Sequence, residues 1–575
     1  MVDLLLRGGR VCDGTGAPAR DADVAIAAGR IVAIGRVGGG ARRTIDVSGL
    51  IVAPGFVDVH THYDAQITWD RLCTPSCWHG VTSVVVGNCG FSLAPCRPAD
   101  RERLLRMLEH VEGMPLDSLR AGIAWEWESF PEYLAMLRAR PLGLNVGALL
   151  GHSAIRVYVL GEDAYAREAR APEIRAMQQL VRDGMAAGAV GLATSRSPAH
   201  VGDGGRPVPS RQASRGELEA LVRAMGESGR GVLEITTETF PITPEELGFL
   251  QDLARESRRP VSFSAILDVP DRPGVWEPVF DALRAGIARG AAVFPQLSCR
   301  PMRFDFDLET GCASLDAMPC WRRWRAAPSH AARLALLRDP EFRAAVKAET
   351  VGRTAAPASR RWAEVVLEES ARPEHEAFSG RTLAEIAAAR GGDAIDALLD
   401  VSAAADLRAR FSMLLVNYDD EQVGALLRRP EGLIALSDAG AHVSVLCDAG
   451  YATHLLGHWV RGRGLFGWEE AVRRLTSMPA AIYGIPDRGL LAPGLVADVT
   501  CFDPTRVAAR PPEKVRDFPA GGVRYVTRAD GIEHVFIRGE EFLAAGEWTG
   551  ASPGTVLEPA PPARPPAAAR SAPAS

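Results

Sequence analysis

Eight short apolar runs, separated by segments of helical period, constrain the fold of this chain more than any other feature. The runs cover residues 57–62, 82–88, 144–150, 189–194, 231–235, 260–267, 291–296 and 432–437. Between them, segments such as 172–187, 215–228 and 276–288 place apolar residues three and four positions apart, as amphipathic helices do. Strands that alternate with helices favour a parallel sheet. Eight such units predict an α/β fold, a (β/α)8 TIM barrel.

The two ends of the chain share a different pattern. Residues 1–53 alternate short apolar runs with turn residues, which predicts antiparallel hairpins, and similar runs return at 497–502 and 534–539. We therefore expect both ends to form one small domain, from residues 1–53 and 486–550. The barrel domain then occupies residues 54–485.

Two further segments lie outside this plan. The gap between the seventh and eighth runs is too long for a simple crossover, so an insertion is expected at about 297–431. It serves either as a lid over the barrel mouth or as padding on the barrel's flank. Residues 551–575 are mostly Ala, Pro, Arg and Ser, which predicts a disordered tail.

Composition excludes several classes of function. The net charge is −6, and lysine occurs only at positions 347 and 514, so the chain lacks the basic character that nucleic-acid binding requires. No apolar run approaches the roughly 18 residues that cross a bilayer, and the first residues lack the pattern of a secretory signal. The ten cysteines form no CxxC pair, which indicates reduced thiols. We expect a cytoplasmic enzyme with neither nucleic-acid nor membrane partners.

The first barrel strand ends in two histidines. Because side chains alternate along a strand, His60 and His62 should project from one face, about 7 Å apart. Neutral imidazoles at that spacing suit zinc or a similar divalent metal, although two histidines that bind nothing would show the same pattern. In a barrel the carboxyl ends of the strands carry the chemistry, which favours a metal centre here.

Two other strand ends carry candidate ligands. Cys89 lies between glycines after the second strand, where a thiolate can bind zinc or a thiol can simply be buried. Asp438 follows the eighth strand, where a carboxylate can ligate a metal and act as the general base of a hydrolase, or can cap a helix. These positions predict a site at one end of the barrel.

Several segments together carry a resemblance to a known family. They are PGFVDVHTHYD at 54–64, GNCGF at 87–91, LLGH at 149–152, SDAG at 437–440 and DFPAGGVRYV at 517–526, followed by Gly531-Ile532. With them the chain resembles the amidohydrolase superfamily, specifically its branch of N-acyl-D-amino-acid deacylases, the D-aminoacylases. The resemblance covers nearly the whole chain except the tail and the insertion. It implies a metal-bearing barrel with a small β-sandwich built from both termini.

The resemblance also implies roles for individual residues. It makes His60, His62 and Cys89 metal ligands, and it makes Asp438 both a ligand and the general base. The expected cofactor is a divalent metal, first of all Zn²⁺, as one or two ions.

Two histidines of the family pattern are missing. The deacylases carry one at the end of strand five and another on strand six, the latter followed by a second histidine and a lysine. Here strand five reads LEITTE at 233–238 and strand six reads VSFSAI at 261–266. Replacement ligands could come from Glu234, Glu238 or Thr236, since carboxylate oxygen binds zinc.

Candidates for substrate binding lie in loops after the strands. They are His152, Arg196, His200 and His442, with Arg300 and Arg303 as competitors of Arg196 for a substrate carboxylate. His152 could equally support neighbouring residues or pack in the interior, and His442 could equally cap a helix. The missing strand-six lysine indicates that recognition differs from that of ordinary D-aminoacylases.

Together these observations predict a metal-dependent hydrolase that cleaves a C–N bond other than a peptide bond. The expected substrate is a small-molecule amide such as an N-acyl-D-amino acid, cleaved by metal-activated water. The alternative is a catalytically degenerate barrel that binds a small molecule or a partner. A homo-oligomer is compatible with either function.

Overall fold

The computed structural model describes residues 2–270, 272–309, 318–351 and 361–560. The chain divides into two compact units. One comprises Met1–Arg300 with Asp419–Ser575, and the other is Pro301–Tyr418.

The first unit begins with five sheet strands. They are β1 (Val2–Val11), β2 (Arg20–Ala27), β3 (Arg30–Gly35), β4 (Ala41–Asp46) and β5 (Ile51–Pro54). β2 pairs antiparallel with both β1 and β3, as the hairpin pattern predicts. In contrast, β4 and β5 pair parallel with β1.

Seven strands of a second sheet follow, most of them separated by helices. The strands are β6 (Phe56–Asp58), β7 (Val81–Val86), β8 (Asn145–Gly151), β9 (Gly191–Ser195), β10 (Val232–Thr236), β11 (Val261–Ile266) and β12 (Val293–Leu297). The helices are α1 (Arg101–Glu112), α2 (Leu116–Gly122), α3 (Phe130–Ala139), α4 (His152–Leu160), α5 (Ala171–Ala187), α6 (Arg215–Gly226), α7 (Pro244–Ser257) and α8 (Glu277–Ala288).

The unit Pro301–Tyr418 lies within the insertion predicted at 297–431. Its strands are β13 (Met302–Phe306), β14 (Val366–Glu369) and β15 (Arg410–Val416), which form an antiparallel sheet in the order β13–β15–β14. Its helices are α9 (Pro319–Arg325), α10 (His330–Arg338), α11 (Pro340–Val351), α12 (Leu383–Arg390) and α13 (Ala394–Ala404). Buried aromatic side chains, among them Trp321 and Trp324, give this unit a hydrophobic core of its own.

The chain then returns to the first unit. The remaining helices are α14 (Asp420–Leu427), α15 (Tyr451–His454), a π-helical segment (Leu455–Gly462), α16 (Trp468–Leu475) and α17 (Ser477–Ile482). The remaining strands are β16 (Leu433–Ile434), β17 (Val499–Phe502), β18 (Ala508–Ala509), β19 (Glu513–Phe518), β20 (Gly522–Val526), β21 (Ala529–Asp530), β22 (Ile532–Ile537), β23 (Glu540–Ala544) and β24 (Glu547–Trp548).

Eight parallel strands form the barrel. Their order is β6–β7–β8–β9–β10–β11–β12–β16. The sheet closes where Thr61 pairs with Ala439 and the His62 N–H donates to the Ala439 carbonyl at 2.7 Å. All eight predicted strands occur, which confirms the (β/α)8 barrel.

The strands from the two ends share one nine-stranded sheet. Its order is β24–β23–β22–β17–β5–β1–β2–β3, with β4 beside β1. Leu6, Val24, Val52 and Phe536 are completely buried in its core. This confirms the separate sheet built from both termini, while its exact boundary with the barrel stays a prediction because both belong to one compact unit.

The structure corrects the start of the predicted tail. The Gly554 N–H donates to the Leu142 carbonyl at 2.9 Å, and the Leu557 N–H donates to the Val146 carbonyl at 2.8 Å. Leu557 is also buried in an apolar cluster with Leu149. Composition missed this segment because backbone pairing with β8 does not depend on an apolar sequence. Residues 561–575 lie outside the described residues.

The nine cysteines within the described residues are buried free thiols. Within the same residues, no helix combines the length and the apolarity that crossing a membrane requires.

Candidate metal centre

Three barrel strands deliver the four predicted ligands to one place. His60 and His62 follow β6, Cys89 lies in the turn after β7, and Asp438 follows β16. These strands are neighbours because the closure of the sheet sets β16 beside β6. The carboxyl ends of parallel barrel strands meet at one mouth, so side chains that are far apart in sequence converge there.

The donor atoms of these residues have the spacing of a metal site. The Asp438 Oδ1 atom lies 3.2 Å from His60 Nε2 and 3.4 Å from His62 Nε2, and Cys89 Sγ lies 3.5 Å from His60 Nε2. One ligand atom from each of His60, His62 and Cys89 falls within 4.8 Å of the others. In a tetrahedral zinc site with bonds of about 2.0–2.3 Å, neighbouring donors lie roughly 3.3–3.6 Å apart. His60, His62 and Cys89 therefore fit a divalent ion in spacing and chemistry, and Asp438 lies beside both histidines.

Two polar side chains that the sequence did not single out face the far nitrogens of these histidines. His60 Nδ1 lies 2.6 Å from Gln296 Oε1, and His62 Nδ1 lies 3.3 Å from Glu112 Oε1. The Gln296 acceptor favours a proton on His60 Nδ1, which leaves the Nε2 lone pair of His60 for a metal. The contact between His62 Nδ1 and Glu112 is not a hydrogen bond. Gln296 is the polar residue at the end of a predicted apolar run, and this position in the sequence could have identified it as a residue of the barrel mouth. Glu112 ends α1 and carries no such signal.

Backbone geometry holds Cys89 at the centre. Cys89 has a φ of 55°, and Gly87 and Gly90 have φ values of 87° and 79°. A Cβ atom on Gly87 would lie 2.5 Å from the Leu149 carbonyl oxygen, so this position requires glycine. The Cys89 N–H donates to Glu234 Oε2 at 2.7 Å, which fixes the turn to β10.

The three possible replacement ligands, Glu234, Thr236 and Glu238, make contacts other than those between the predicted donors. Glu234 lies on the Nδ1 side of His60, at 3.8 Å, and one of its oxygens accepts the Cys89 N–H, so it faces the back of the imidazole. The Thr236 hydroxyl donates to Cys89 Sγ at 3.1 Å and thus contacts the sulfur. Glu238 is half-exposed and pairs with Arg196. Strand position alone did not reveal these orientations, because hydrogen bonds to the Cys89 turn decide them.

Burial shifts the pKa values of three side chains at this centre. It raises the pKa of Cys89 to about 12 and that of Glu234 to about 7, and it lowers the pKa of His62 to about 4. Burial also opposes ionisation of Asp438, but hydrogen bonds and charge from His60 and His62 outweigh it and hold its pKa well below the usual range. A bound cation favours the thiolate form of a cysteine ligand and the neutral form of a histidine ligand. Protons therefore compete with a cation for this set of donors.

The contacts of His152 favour the packing role over the substrate-binding role. Its Nδ1 lies 2.9 Å from Thr194 Oγ1 and its Nε2 lies 2.9 Å from Glu217 Oε1, and the side chain is completely buried. Glu217 also pairs with the buried guanidinium of Arg156. The imidazole is thus part of an internal network, which a strand-end histidine does not reveal from sequence.

The remaining substrate-binding candidates differ in how they are engaged. His442 is partly exposed, with Nε2 at 3.9 Å from Asp438 Oδ2. His200 packs against Phe91 with 5.2 Å between ring centres. Arg196 is mostly buried and donates to Glu238 and to the Ala213 carbonyl. His442 therefore lies beside Asp438, and substrate binding by all three residues remains a prediction.

Comparison with known proteins gives a consistent result. Residues 43–540 match the family model described as "Amidohydrolase family". A D-aminoacylase of Alcaligenes xylosoxydans xylosoxydans is 31% identical over 569 residues, which cover 96% of this chain and 97% of the relative.

Two solved structures are also similar. One is a D-aminoacylase described by its binuclear metal centre, with one-metal activation and second-metal attenuation. It is 28% identical with a TM-score of 0.66, covering 97% of this chain and 100% of that chain. The other is an N-acyl-D-glutamate deacylase of Bordetella bronchiseptica in complex with zinc and a phosphonate that mimics the tetrahedral intermediate. It is 27% identical with a TM-score of 0.65, covering 97% of this chain and 99% of that chain.

Proposed function

The chain belongs to the amidohydrolase family, as a member of the D-aminoacylase branch without two of its usual ligand histidines, and from this premise we propose that it deacylates an N-acyl-D-amino acid or a related amide. Its relatives act on C–N bonds, so it is a metal-dependent hydrolase of bonds other than peptide bonds, with a divalent metal such as Zn²⁺ as cofactor. This sets aside the non-catalytic alternative.

One observation carries the proposal. Asp438 Oδ1 lies between the Nε2 atoms of two imidazoles, with Cys89 beside them, at the catalytic end of a barrel. These residues would hold a divalent ion, which supplies a water of lowered pKa and polarises a carbonyl when bound. The group of donors with metal-site spacing comprises three side chains, those of His60, His62 and Cys89, which is the number that leaves a position open for water in catalytic zinc sites.

Asp438 can serve as the general base. Its Oδ1 faces the two ligand histidines, whereas its Oδ2 faces His442 at 3.9 Å, beyond hydrogen-bond distance. The second oxygen can therefore accept a proton from the attacking water and return it to the departing nitrogen. Because the pKa of Asp438 is held below the usual range, its carboxylate is ionised and able to accept a proton.

His200 is suited to donate a hydrogen bond to the scissile carbonyl oxygen. Its Nδ1 lies 2.7 Å from Ser195 Oγ, which accepts the Ser197 N–H at 3.1 Å. Because Ser195 Oγ already accepts a hydrogen bond from Ser197, its own proton is available for His200 Nδ1. Nδ1 is then the acceptor, and the proton of the neutral imidazole is on Nε2. Burial, followed by repulsion from His442 and His62, lowers the pKa of His200 to about 3, so the ring stays neutral at physiological pH. Among the described residues, no protein group hydrogen bonds to this Nε2.

We expect His200→Ala to lower kcat by about 10²–10³-fold, the usual effect of removing one donor to a developing oxyanion. Bound metal should be unchanged, because His200 is not among the donor atoms. His200→Gln retains an N–H donor and should recover part of the activity. Unchanged kcat in His200→Ala would exclude this role.

The proposed function is tested by measuring metal content together with hydrolysis of a substrate panel. Protein purified without chelator is analysed by mass spectrometry for bound metal and is then assayed with N-acetyl-D-amino acids, their L-enantiomers and cyclic amides. We expect bound metal and preferential hydrolysis of the D-compounds, and we expect both to be lost in His60→Ala. His110→Ala changes a partly exposed histidine elsewhere and serves as the matched control. A metal-loaded wild type that leaves every acylated D-amino acid intact would overturn the proposal.

A further inference from the structure

We propose that this centre holds a single metal ion, with Cys89 as a terminal ligand rather than a bridge between two ions. The inference rests on the proposed function, but it concerns this chain's own departure from the binuclear D-aminoacylase to which it is similar. The observations that carry it lie on the side of Cys89 that faces β10 and β11.

Hydroxyl groups occupy that side of the sulfur. The Ser264 hydroxyl donates to Thr236 Oγ1 at 3.2 Å, and the Thr236 hydroxyl donates to Cys89 Sγ at 3.1 Å. Each donor directs its proton toward the next acceptor, so the end of the chain points a proton at the sulfur. A cation cannot share that lone pair without breaking the hydrogen bond, because the proton and the cation compete for the same electrons.

The sulfur also contacts the proposed site. His60 Nε2 lies 3.5 Å from Cys89 Sγ, and Asp438 Oδ1 lies 3.2 Å from the same nitrogen. An ion held by His60 can therefore use one lone pair of the sulfur, while the Thr236 hydroxyl occupies another.

Neither of the two nearby carboxylates, Glu234 and Glu112, belongs to the group of donors with metal-site spacing. Glu234 Oε2 accepts the Cys89 N–H at 2.7 Å, and Glu112 Oε1 lies 3.3 Å from His62 Nδ1. Both therefore face the rear of a ligand histidine or its neighbouring backbone. Within the described ranges, one group of three or more His, Cys, Asp or Glu side chains has the spacing of a metal site, and it is His60, His62 and Cys89. Protein zinc sites normally need three or four ligands, so the described residues supply one such site.

Cobalt(II) titration of the metal-depleted full-length chain tests this inference. Cobalt bound to thiolate gives a ligand-to-metal charge-transfer absorption, which reports the contact with sulfur independently of activity. We expect this absorption to saturate at one equivalent of cobalt, with mass spectrometry giving one ion per chain. Cys89→Ser should lose the absorption.

Thr236→Val tests whether the hydroxyl caps the sulfur. Loss of the hydrogen bond raises the energy of the sulfur lone pair, so the charge-transfer absorption should move to longer wavelength while the stoichiometry stays at one. Thr237→Val is the matched control on the neighbouring residue, because the Thr237 hydroxyl donates to the Thr239 carbonyl at 3.1 Å instead. A purely structural role of Thr236 would leave the absorption unmoved.

The possible outcomes separate this inference from the proposed function. Two tightly bound equivalents in an active wild type would overturn the single-ion centre and leave the deacylase proposal standing. One equivalent without thiolate absorption, or an unshifted absorption in Thr236→Val, would overturn the role given to Cys89. Failure to bind any divalent metal would overturn the proposed function itself.

Discussion

Asp438→Asn is expected to lower kcat by about 10³–10⁴-fold, at the upper end of what a positioned general base contributes. Asparagine retains the size of the side chain and an oxygen that can face His60 and His62, but it cannot accept the proton from water. The large effect follows from the position of this one carboxylate, whose Oδ1 lies within 3.4 Å of both imidazoles. The rate is measured as release of the free amino acid, with bound metal determined on the same samples.

Metal content decides how this result is interpreted. If Asp438→Asn keeps its metal but loses turnover, the result supports proton transfer by Asp438. If the variant loses both its metal and its turnover, the role of Asp438 is metal ligation alone. Asp487→Asn makes the same chemical change at a carboxylate that pairs with Arg488 outside the centre and should leave kcat unchanged. A kcat for Asp438→Asn within tenfold of wild type would contradict the base assignment.

Glu217→Gln is expected to lower the free energy of unfolding by about 3–5 kcal/mol, the usual cost of breaking a buried ion pair from one side. The Arg156 guanidinium and the Glu217 carboxylate are both completely buried, and His152 also contacts Glu217 at 2.9 Å. Glutamine leaves the arginine charge buried without an anionic partner. Urea unfolding followed by circular dichroism measures the change.

The same pair has a defined pH dependence. Burial raises the pKa of Glu217, but His152 and Arg156 outweigh burial and lower it below its ordinary value. The contribution of Glu217 to stability is therefore full above the unfolded-state pKa and is lost as pH falls toward the lower folded-state pKa.

A control on the same helix separates this effect from helix propensity. Glu219→Gln makes the identical change two residues away in α6, at a more exposed position, and should change the stability by less than 1 kcal/mol. If Glu217→Gln were equally mild, the buried network would not be a major source of stability. Where the variant stays folded, kcat and KM should match wild type, because His152 lies in the interior and not in the substrate pocket.

The sequence by itself determined the barrel, the sheet built from both ends and the positions of the candidate donors. Strand-length apolar runs and helical periodicity are local patterns, so they survive without knowledge of any distant contact. The His60–His62 pair is local in the same sense, since alternation along one strand puts both on one face. Cys89 and Asp438 were identifiable because parallel strands of a barrel must end at one mouth.

Only the tertiary structure decided what those donors contact. Glu112 and Gln296 face the rear of the two histidines, and Thr236 donates to the sulfur, although all three are remote in sequence from their partners. The sequence leaves both a substrate-binding role and a packing role open for His152, because a histidine at a strand end has the same local pattern in either case. Its buried contact with Glu217 favours packing.

The physical reason is that a hydrogen bond depends on the direction of a side chain and on competing partners, which packing fixes after the strands are in place. The segment near Leu557 is a further case, because its pairing with β8 uses backbone groups that every residue possesses. Residue type and local period therefore specify which groups reach the barrel mouth. The assembled fold specifies which of them are available to a metal, to a substrate or to each other.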